Sequence, residues 1–376
     1  MTPLDFTSSS YLGYRHGHAE LPPWRELTIG RPAVLAEPRQ AGWLAGELAR
    51  RTGLAGGLLA TSTLHAFVDV WSALGAEPVA ALLDEAAYPI GRLALRAAAV
   101  AEKAVPVGHF DADRVAEAVA ALPAGPRPVL LVDGLCPDCG RLAPLPDLLA
   151  AVRPRRGIVL VDDTQALGLV GVLPRPGAPY GDGGGGTAAR LQVPSGARLV
   201  VVASAAKAFG APLAVVAGPA RLIARLREHG PARNHAGAPS AAARAALHNA
   251  LARDGTEGVA RRLRLARLVW QFRRLLRERG IPRVGEPLGP TQVVPLAAPA
   301  AVAGVLDGLR RAGVRAVAVR RRCGPGIGIA FLLTARHTPD DLARAADALA
   351  AAWPADPPPP VAARRPTNLL ATAVGQ

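Results

Sequence analysis

Residues 199–210 read Leu-Val-Val-Val-Ala-Ser-Ala-Ala-Lys-Ala-Phe-Gly. The apolar run Leu199–Ala203 is typical of a strand that is buried on both faces of a parallel sheet. Lys207 follows the end of this strand, and α/β sheets bind their ligands beyond the carboxyl ends of the strands. A lysine amine can form an imine, or Schiff base, with a carbonyl group. The stretch therefore predicts an α/β fold with Lys207 as a candidate nucleophile.

The scarcity of lysine supports this interpretation. Of the 44 cationic residues, only Lys103 and Lys207 are lysine, and Ala, Gly, Pro and Arg are abundant throughout. Arginine carries the same charge, but its pKa lies above about 12, so it cannot lose a proton and attack a carbonyl. Free substitution of arginine for lysine explains the scarcity, and a required amine explains why Lys207 was kept. Lys103 has no comparable context and is predicted to lie on the surface.

The charge of the chain and the distribution of its arginines bear on whether it binds nucleic acid. The net charge of +15 could indicate a nucleic-acid partner, but the arginines are spread along the chain without a zinc-finger or RNP-like motif. The densest basic run, residues 261–279, has apolar residues at helical spacing and predicts an amphipathic helix with a solvated arginine face. We therefore expect no nucleic-acid partner.

The expected location is the cytoplasm. Three cysteines in 376 residues do not make a disulfide scaffold, which favours a reducing compartment. The first residues lack the pattern of a secretory signal, and no stretch approaches the ~18 uninterrupted apolar residues of a membrane span. We expect a soluble protein with no membrane contact.

The order of apolar runs predicts two α/β units. In the first unit, strand candidates are Pro128–Val132, Ile158–Val161, Leu199–Ala203 and Leu213–Ala217; in the second, they are Thr291–Leu296, Val314–Val319 and Ile327–Leu333. The chain is divided into an N-terminal arm, a large cofactor-binding domain, a connecting helical region, a small C-terminal α/β domain and a Pro-rich tail expected to be disordered: residues 1–38, 39–240, 241–280, 281–353 and 354–376. The predicted large domain is a mainly parallel sheet sandwiched by helices.

Three segments at strand ends make a coherent chemical set. Asp162 ends one buried strand, Lys207 follows another, and Ser62-Thr63 precede a helix-like run whose N-terminus can hold a phosphate. Pyridoxal phosphate needs a lysine for its aldehyde, a carboxylate for its pyridine nitrogen and an anion site for its phosphate. The sequence therefore predicts pyridoxal 5′-phosphate as cofactor.

Five motifs in register resemble the α-oxoamine synthases, the group of fold-type I pyridoxal-phosphate enzymes that includes 8-amino-7-oxononanoate synthase and glycine C-acetyltransferase. The motifs are Ser10–Gly13, Asp133–Leu145, Val161–Gly168, Ser204–Gly210 and Leu333–His337. The resemblance covers about residues 5–353 and implies a homodimeric biosynthetic transferase of the aminotransferase class I/II superfamily. It also implies an acyltransferase reaction, in which an amino acid condenses with an acyl-CoA or acyl-carrier-protein thioester.

Carried over by position, the resemblance assigns roles to single residues. Lys207 would be the Schiff-base lysine, and Asp162 the partner of the pyridine nitrogen. Tyr88 takes the place of a histidine that stacks on the cofactor ring, although the tyrosine could equally be an ordinary core aromatic. The remaining cofactor contacts implied are Gln165 at the 3′-oxygen, and Ser62, Thr63 and Ser204 near the phosphate.

The sequence departs from the family where the substrate would bind. Gln165 replaces a histidine, so a general acid is lost there. Ala236 stands where a threonine of the neighbouring subunit contacts the phosphate, and Gly326–Ala330 lacks the arginine that clamps the substrate carboxylate. Arg320, Arg321 or Arg322 could replace that arginine. Two alternatives to acyl transfer remain. One is aminotransfer with the same cofactor, and the other is a catalytically degenerate homologue that acts as a binding or scaffold subunit.

The pair Cys136-x-x-Cys139 has the spacing of a zinc or redox motif. A zinc site needs two more ligands, and the sequence offers Cys323 without a second CxxC motif. The pair does not open a thioredoxin-like unit, so a redox role is not favoured. We expect no metal site.

Overall fold

The computed structural model describes residues 3–100 and 104–354. Lys103 and residues 355–376 of the predicted tail lie outside the described residues. Within the described ranges, the strands are β1 Leu4–Asp5, β2 Gly56–Ala60, β3 Val79–Asp84, β4 Val105–Val107, β5 Arg127–Asp133, β6 Ile158–Asp162, β7 Leu199–Ser204, β8 Ala214–Gly218, β9 Thr291–Leu296, β10 Val314–Arg315, β11 Val317–Arg320 and β12 Ile327–Leu332.

The helices of the same ranges cover both faces of the larger sheet and one side of the smaller one. They are α1 Arg39–Thr52, α2 Thr63–Leu74, α3 Pro89–Ala97, α4 Ala112–Ala120, α5 Leu145–Val152, α6 Gly186–Arg190, α7 Ala220–His229, α8 Pro231–His235, α9 Ala241–Glu278, α10 Pro299–Arg311 and α11 Pro339–Ala351. Short 3₁₀ helices occur at His18–Glu20 and Arg153–Arg155.

The large sheet has seven strands in the order β2-β8-β7-β6-β5-β3-β4. Only β8 runs against its neighbours, while β7, β6, β5, β3 and β4 are parallel. This confirms the predicted α/β fold with a mainly parallel sheet. Strands β2, β3 and β4 were not among the four strand candidates of the first unit.

Burial on both faces explains why the strands are continuous apolar runs. In β6 and β7, Leu160 and Val200 pack on one side with α2, α3 and α7. Val161 and Val201 pack on the other side with α1, α5 and α9. Each fully buried Val or Leu contributes about 1.5–3 kcal/mol. Alternation of apolar and polar residues is therefore absent from these strands.

The smaller sheet is antiparallel, in the order β11-β12-β9. The single strand predicted at Val314–Val319 is wrong, because β10 pairs with β1 while β11 pairs with β12. The segment predicted to be an arm outside the core also contributes to the core, since Phe6, Tyr11 and Leu12 are fully buried. Local periodicity cannot show that part of an apolar run, here β10, pairs with a strand that is distant in sequence.

Helix α9 confirms the helix predicted for the basic run, but its arginines are not a simple solvated face. Arg262 is buried, with its Nη2 2.7 Å from Asp254 Oδ1, and its Nε donates to the carbonyl of Gly168 at 2.9 Å. Arg273 is also buried and donates to Gln292 Oε1 at 2.9 Å. These arginines join the long helix to the rest of the fold. Among the described residues, no helix combines the length and apolarity needed to cross a membrane.

Candidate active site

Polar side chains meet at the carboxyl edge of the large sheet. Strands β5, β6 and β7 end at Asp133, Asp162 and Ser204. Asp133 and Asp162 are direct partners in the register of β5 and β6, and Lys207 lies in the turn that follows β7. The fold therefore gathers two carboxylates and one amine at one edge of the sheet, as expected for a parallel α/β sheet.

Asp162 is buried and is held by the chain that follows it. The N–H of Thr164 donates to its Oδ1 at 3.1 Å, and Thr164 Oγ1 accepts from the N–H of Ser204 at 3.0 Å. Burial raises the pKa of Asp162, while the hydrogen bond from Thr164 and the charge of Lys207 lower it. The carboxylate is thus fixed in position and needs a cationic or N–H partner to stay ionised.

Lys207 is half-buried, and its environment favours the neutral amine. Burial lowers the pKa of Lys207, the nearby charge of Arg322 lowers it further, and Asp162 and Asp133 oppose the shift. A lysine with a depressed pKa is a better nucleophile near neutral pH, because more of it is unprotonated.

Asp133 is a site residue to which the sequence analysis assigned no role. Its Oδ1 accepts from the N–H of Tyr88 at 2.9 Å. Its Oδ2 is buried without a hydrogen-bond partner and lies 3.9 Å from Arg322 Nη2. Burial, together with the charge of Asp162, raises the pKa of Asp133 to about 8. Asp133 is the last residue of β5 and the first of the motif Asp133–Leu145. The sequence therefore indicated its position at the strand end, but not its burial or its contacts with Tyr88 and Arg322.

Tyr88 lies at the N-terminus of α3, and its side chain is 50% exposed. The alternative of an ordinary core aromatic is therefore wrong. The guanidinium carbon of Arg322 lies 4.9 Å from the centre of the tyrosine ring. Tyr88 is available to stack on a planar ligand at the sheet edge.

Gln165 is oriented by the N-terminal segment. Its Oε1 accepts from the hydroxyl of Tyr11 at 2.5 Å, and Tyr11 also lies 3.4 Å from Thr291 Oγ1. Burial raises the pKa of Tyr11 to about 12, which keeps the hydroxyl protonated as a donor. This bond leaves the amide N–H groups of Gln165 to serve a ligand oxygen.

Three hydroxyl residues, Ser62, Thr63 and Ser204, lie at the same edge. Ser62 caps α2 and accepts from the N–H of His65 at 3.4 Å, and Thr63 is the first residue of that helix. Ala214 of β8 pairs with Ala60 on one side and with Ser204 on the other. Strands β2 and β7 thus end one strand apart, which places the N-terminus of α2 beside Ser204 and the Lys207 turn.

The three candidate clamp arginines are separated by the structure. Arg322 faces Asp133 and Tyr88, whereas Arg321 donates to the carbonyl of Pro325 at 3.0 Å and Arg320 is exposed at the end of β11. Arg322 Nε is buried without a partner. No local signal in the sequence distinguishes Arg322 from its neighbours.

The residues present fit pyridoxal phosphate. The buried carboxylate of Asp162 suits a protonated pyridine nitrogen, and the Lys207 amine suits the aldehyde. The first turn of α2, a helix of 12 residues, offers N–H groups and hydroxyls to a phosphate.

The sheet and the residues at its carboxyl edge define a protein of the fold-type I pyridoxal-phosphate class. The chain belongs to the aminotransferase class I and II family, whose family model matches residues 58–349. This membership confirms the predicted superfamily and the predicted cofactor, pyridoxal phosphate.

Curated relatives confirm the predicted resemblance to the α-oxoamine synthases. The 8-amino-7-oxononanoate synthase of Halorhodospira halophila is 36% identical over 236 residues, which are 61% of this chain and 56% of the relative. That of Geobacter sulfurreducens is 32% identical over 240 residues, covering 60% and 55%. The chain thus spans little more than half the length of the curated relatives it matches.

Solved structures with low identity show the same fold. A serine palmitoyltransferase from S. paucimobilis superposes with a TM-score of 0.81 at 16% identity, over 93% of this chain and 87% of that one. The 8-amino-7-oxononanoate synthase of Francisella tularensis gives a TM-score of 0.72 at 17% identity, over 93% and 97%.

Proposed function

We propose that this protein is a pyridoxal-phosphate-dependent acyltransferase that condenses an amino acid with an acyl thioester. The observation that carries the proposal is the meeting of Lys207, Asp162 and Arg322 at the carboxyl edge of the sheet. The names of the curated relatives support the reaction type. An acyl-CoA or acyl-carrier-protein thioester is the proposed donor, and a cytoplasmic, biosynthetic homodimer is the proposed form.

Each part of the site has a proposed task. When bound, pyridoxal phosphate supplies an aldehyde for amine capture and a ring that delocalises the electron pair of an amino-acid carbanion. Asp162 would hold the pyridine nitrogen, Tyr88 would cover the ring, and Gln165 would donate to the ring oxygen. Ser62, Thr63 and Ser204 would hold the phosphate.

Lys207 has a second task once its amine is free. Burial lowers the pKa of Lys207 and so favours the neutral amine, whose Nζ atom can accept a proton. We propose that Nζ takes the proton from the α-carbon of the amino-acid substrate and returns a proton after the new carbon–carbon bond has formed. An arginine at this position would stay protonated and could do neither.

Arg322 is the proposed carboxylate clamp in place of the arginine absent from β12. Its Nε lacks a hydrogen-bond partner although it is buried, and its Nη2 lies 3.9 Å from Asp133, beyond good hydrogen-bond distance. A guanidinium with unused donors binds a carboxylate through two parallel hydrogen bonds. An incoming α-carboxylate would satisfy these donors.

Aminotransfer is the second candidate. The glutamine at position 165 cannot act as a general acid, but its amide N–H groups can still donate a hydrogen bond to the cofactor. Cofactor binding and aminotransfer are therefore compatible with this residue, and aminotransfer needs no acyl donor. A degenerate scaffold subunit is disfavoured, because Lys207 and Asp162 are both present and lie close enough for each charge to shift the pKa of the other.

Two measurements test the proposal. Borohydride reduction of the purified holoprotein followed by peptide mapping should label Lys207; absence of the label would exclude the enzyme hypotheses and leave the scaffold role. Release of free thiol from a panel of acyl thioesters, in the presence of single amino acids, should identify the acyltransferase. Conversion of an amino acid to its keto acid without thiol release would instead establish aminotransfer.

A further inference from the structure

Four metal-binding side chains converge beside the active site. His109 follows β4, Cys136 and Cys139 lie in the loop after β5, and Cys323 lies in the turn after β11. One ligand atom from each residue lies within 4.8 Å of all the others. We propose that these residues form a structural zinc site, separate from the cofactor site, that joins the smaller sheet to the large one.

The distances suit a tetrahedral ion. Zinc binds thiolate sulfur at about 2.3 Å and imidazole nitrogen at about 2.0–2.1 Å, so neighbouring ligand atoms lie roughly 3.5–3.8 Å apart. His109 Nε2 and Cys139 Sγ are 3.4 Å apart. A small inward movement of the other side chains would complete the site. Three thiolates and one imidazole fill all four positions, which is typical of a structural rather than a catalytic zinc.

A carboxylate already orients the histidine. Asp84 lies at the end of β3 and is buried. Its Oδ1 is 2.9 Å from His109 Nδ1, and its Oδ2 accepts from the N–H of Phe110 at 2.9 Å. The Nδ1 atom of His109 is thus fixed by the Asp84 carboxylate, while its Nε2 atom faces the sulfur of Cys139. This is the carboxylate–histidine–zinc arrangement of metal proteins.

The Cys136–Gly140 loop presents both sulfurs to the same side. The N–H of Cys139 points to Cys136 Sγ at 3.5 Å, and the N–H of Gly140 donates to the carbonyl of Cys136 at 2.8 Å. Gly140 has φ +69°, and a Cβ there would lie 2.7 Å from the carbonyl oxygen of Glu286. The tight turn therefore requires glycine. An N–H directed at sulfur also favours the thiolate that a metal needs.

The same loop holds the turn that carries Cys323. Asp138 Oδ2 accepts from the N–H groups of Arg322 and Cys323 at 2.9 and 3.0 Å, and from the Cys323 thiol at 3.0 Å. Zinc binding would release the thiol proton to solvent and leave the two backbone bonds in place. A disulfide between Cys136 and Cys139 would not explain why His109 and Cys323 also lie within 4.8 Å of the two sulfur atoms.

The site would also position Arg322, a consequence that rests on the proposed function. Arg322 is adjacent to the ligand Cys323, and its guanidinium reaches Asp133 and Tyr88. An ion bound to Cys136 and Cys323 would lock the turn to the loop that follows β5. The zinc ion would thus fix the distance between the proposed carboxylate clamp and the sheet edge without contacting the substrate.

Metal analysis of the full chain tests the proposal directly. Protein purified under reducing conditions in metal-free buffer should contain about one zinc per chain, the stoichiometry of a closed four-ligand site. Cobalt added to the zinc-free protein should produce the intense visible bands of tetrahedral Co²⁺ and the near-ultraviolet bands of thiolate ligation. A zinc content below a tenth per chain after incubation with Zn²⁺, stoichiometric iron, or a Cys136–Cys139 disulfide by intact mass would each overturn the zinc site.

Variants distinguish the ligands from other residues. His109→Gln and Cys323→Ala should each lower the zinc content at least about tenfold, and Asp84→Asn should weaken zinc affinity by about 10- to 100-fold. His248→Gln is the matched control, because His248 lies on α9 with its ring against Trp43. If His248→Gln lowered the zinc content as much as His109→Gln, the assignment would fail. Borohydride labelling of Lys207 reports cofactor binding independently of zinc content, so the two proposals can fail separately.

Discussion

The edge formed by β6 and β7 and the turn that follows β11 border the same site, but they are held in different ways. At the strand edge, short stretches of sequence determine the geometry: Asp162 is held by Thr164, two residues further on. In the turn, the N–H of Arg322 is held by Asp138, 184 residues away. The residues proposed for cofactor chemistry are thus held by contacts that are close in sequence, whereas the arginine proposed to bind the substrate depends on tertiary contacts.

The largest expected effect is at the strand edge. Lys207→Arg keeps the charge and loses the titratable amine, so thiol release should fall by roughly 10³-fold or more. Lys103→Arg, which changes the chain's other lysine in the same way, is the matched control and should keep its activity. The comparison breaks down if Lys207→Arg retains more than a tenth of the wild-type turnover.

The second expected effect concerns the carboxylate of the same edge. Asp162→Asn removes the negative charge that would hold the pyridine nitrogen protonated, so turnover should fall by about 10²–10³-fold. Borohydride labelling of Lys207 should persist, because the amine itself is unchanged. Turnover measured together with labelling separates loss of chemistry from loss of the cofactor. Equal loss of both would show instead that Asp162 is needed for binding.

The sequence predicted the strand edge well for a physical reason. The runs before Asp162 and Lys207 are apolar because both faces of the strands are buried, and the parallel sheet brings their ends together. Asp133 shares this origin, but its unpartnered Oδ2 depends on Arg322 and Tyr88, which come from other segments. Neither the convergence of His109 and Cys323 nor the split between β10 and β11 leaves a local periodic pattern.

The third effect belongs to the turn. Arg322→Gln should raise KM for the amino acid by about 10- to 100-fold, because a charge-assisted pair contributes about 1.5–3 kcal/mol, while kcat changes less. Arg320→Gln is the matched control, since Arg320 is exposed at the end of β11. Steady-state kinetics with varied amino acid check this prediction. A similar rise in KM for both variants would contradict the assignment of Arg322 as clamp.

The smallest effect concerns Asp133, where the edge and the turn meet. Its pKa is raised to about 8, above the ordinary value of 3.8, because the carboxyl group is buried and Asp162 lies beside it. The folded protein therefore favours the protonated form, and the stability that Asp133 contributes below about pH 4 is lost as the pH rises through about 8. Asp133→Asn, which mimics the protonated group, should remove this loss.

Denaturant unfolding of the cofactor-free protein at pH 6 and pH 8.5 measures the effect. Asp133→Asn should raise the free energy of unfolding relative to wild type by on the order of 1–3 kcal/mol at pH 8.5, and by less at pH 6. Combining it with Arg322→Gln sharpens the comparison, because without the nearby guanidinium the charged carboxylate should cost more stability. If the two substitutions are additive, Arg322 does not stabilise Asp133, and other contacts, such as those of Asp138 with the N–H groups of Arg322 and Cys323, hold the turn to the large sheet.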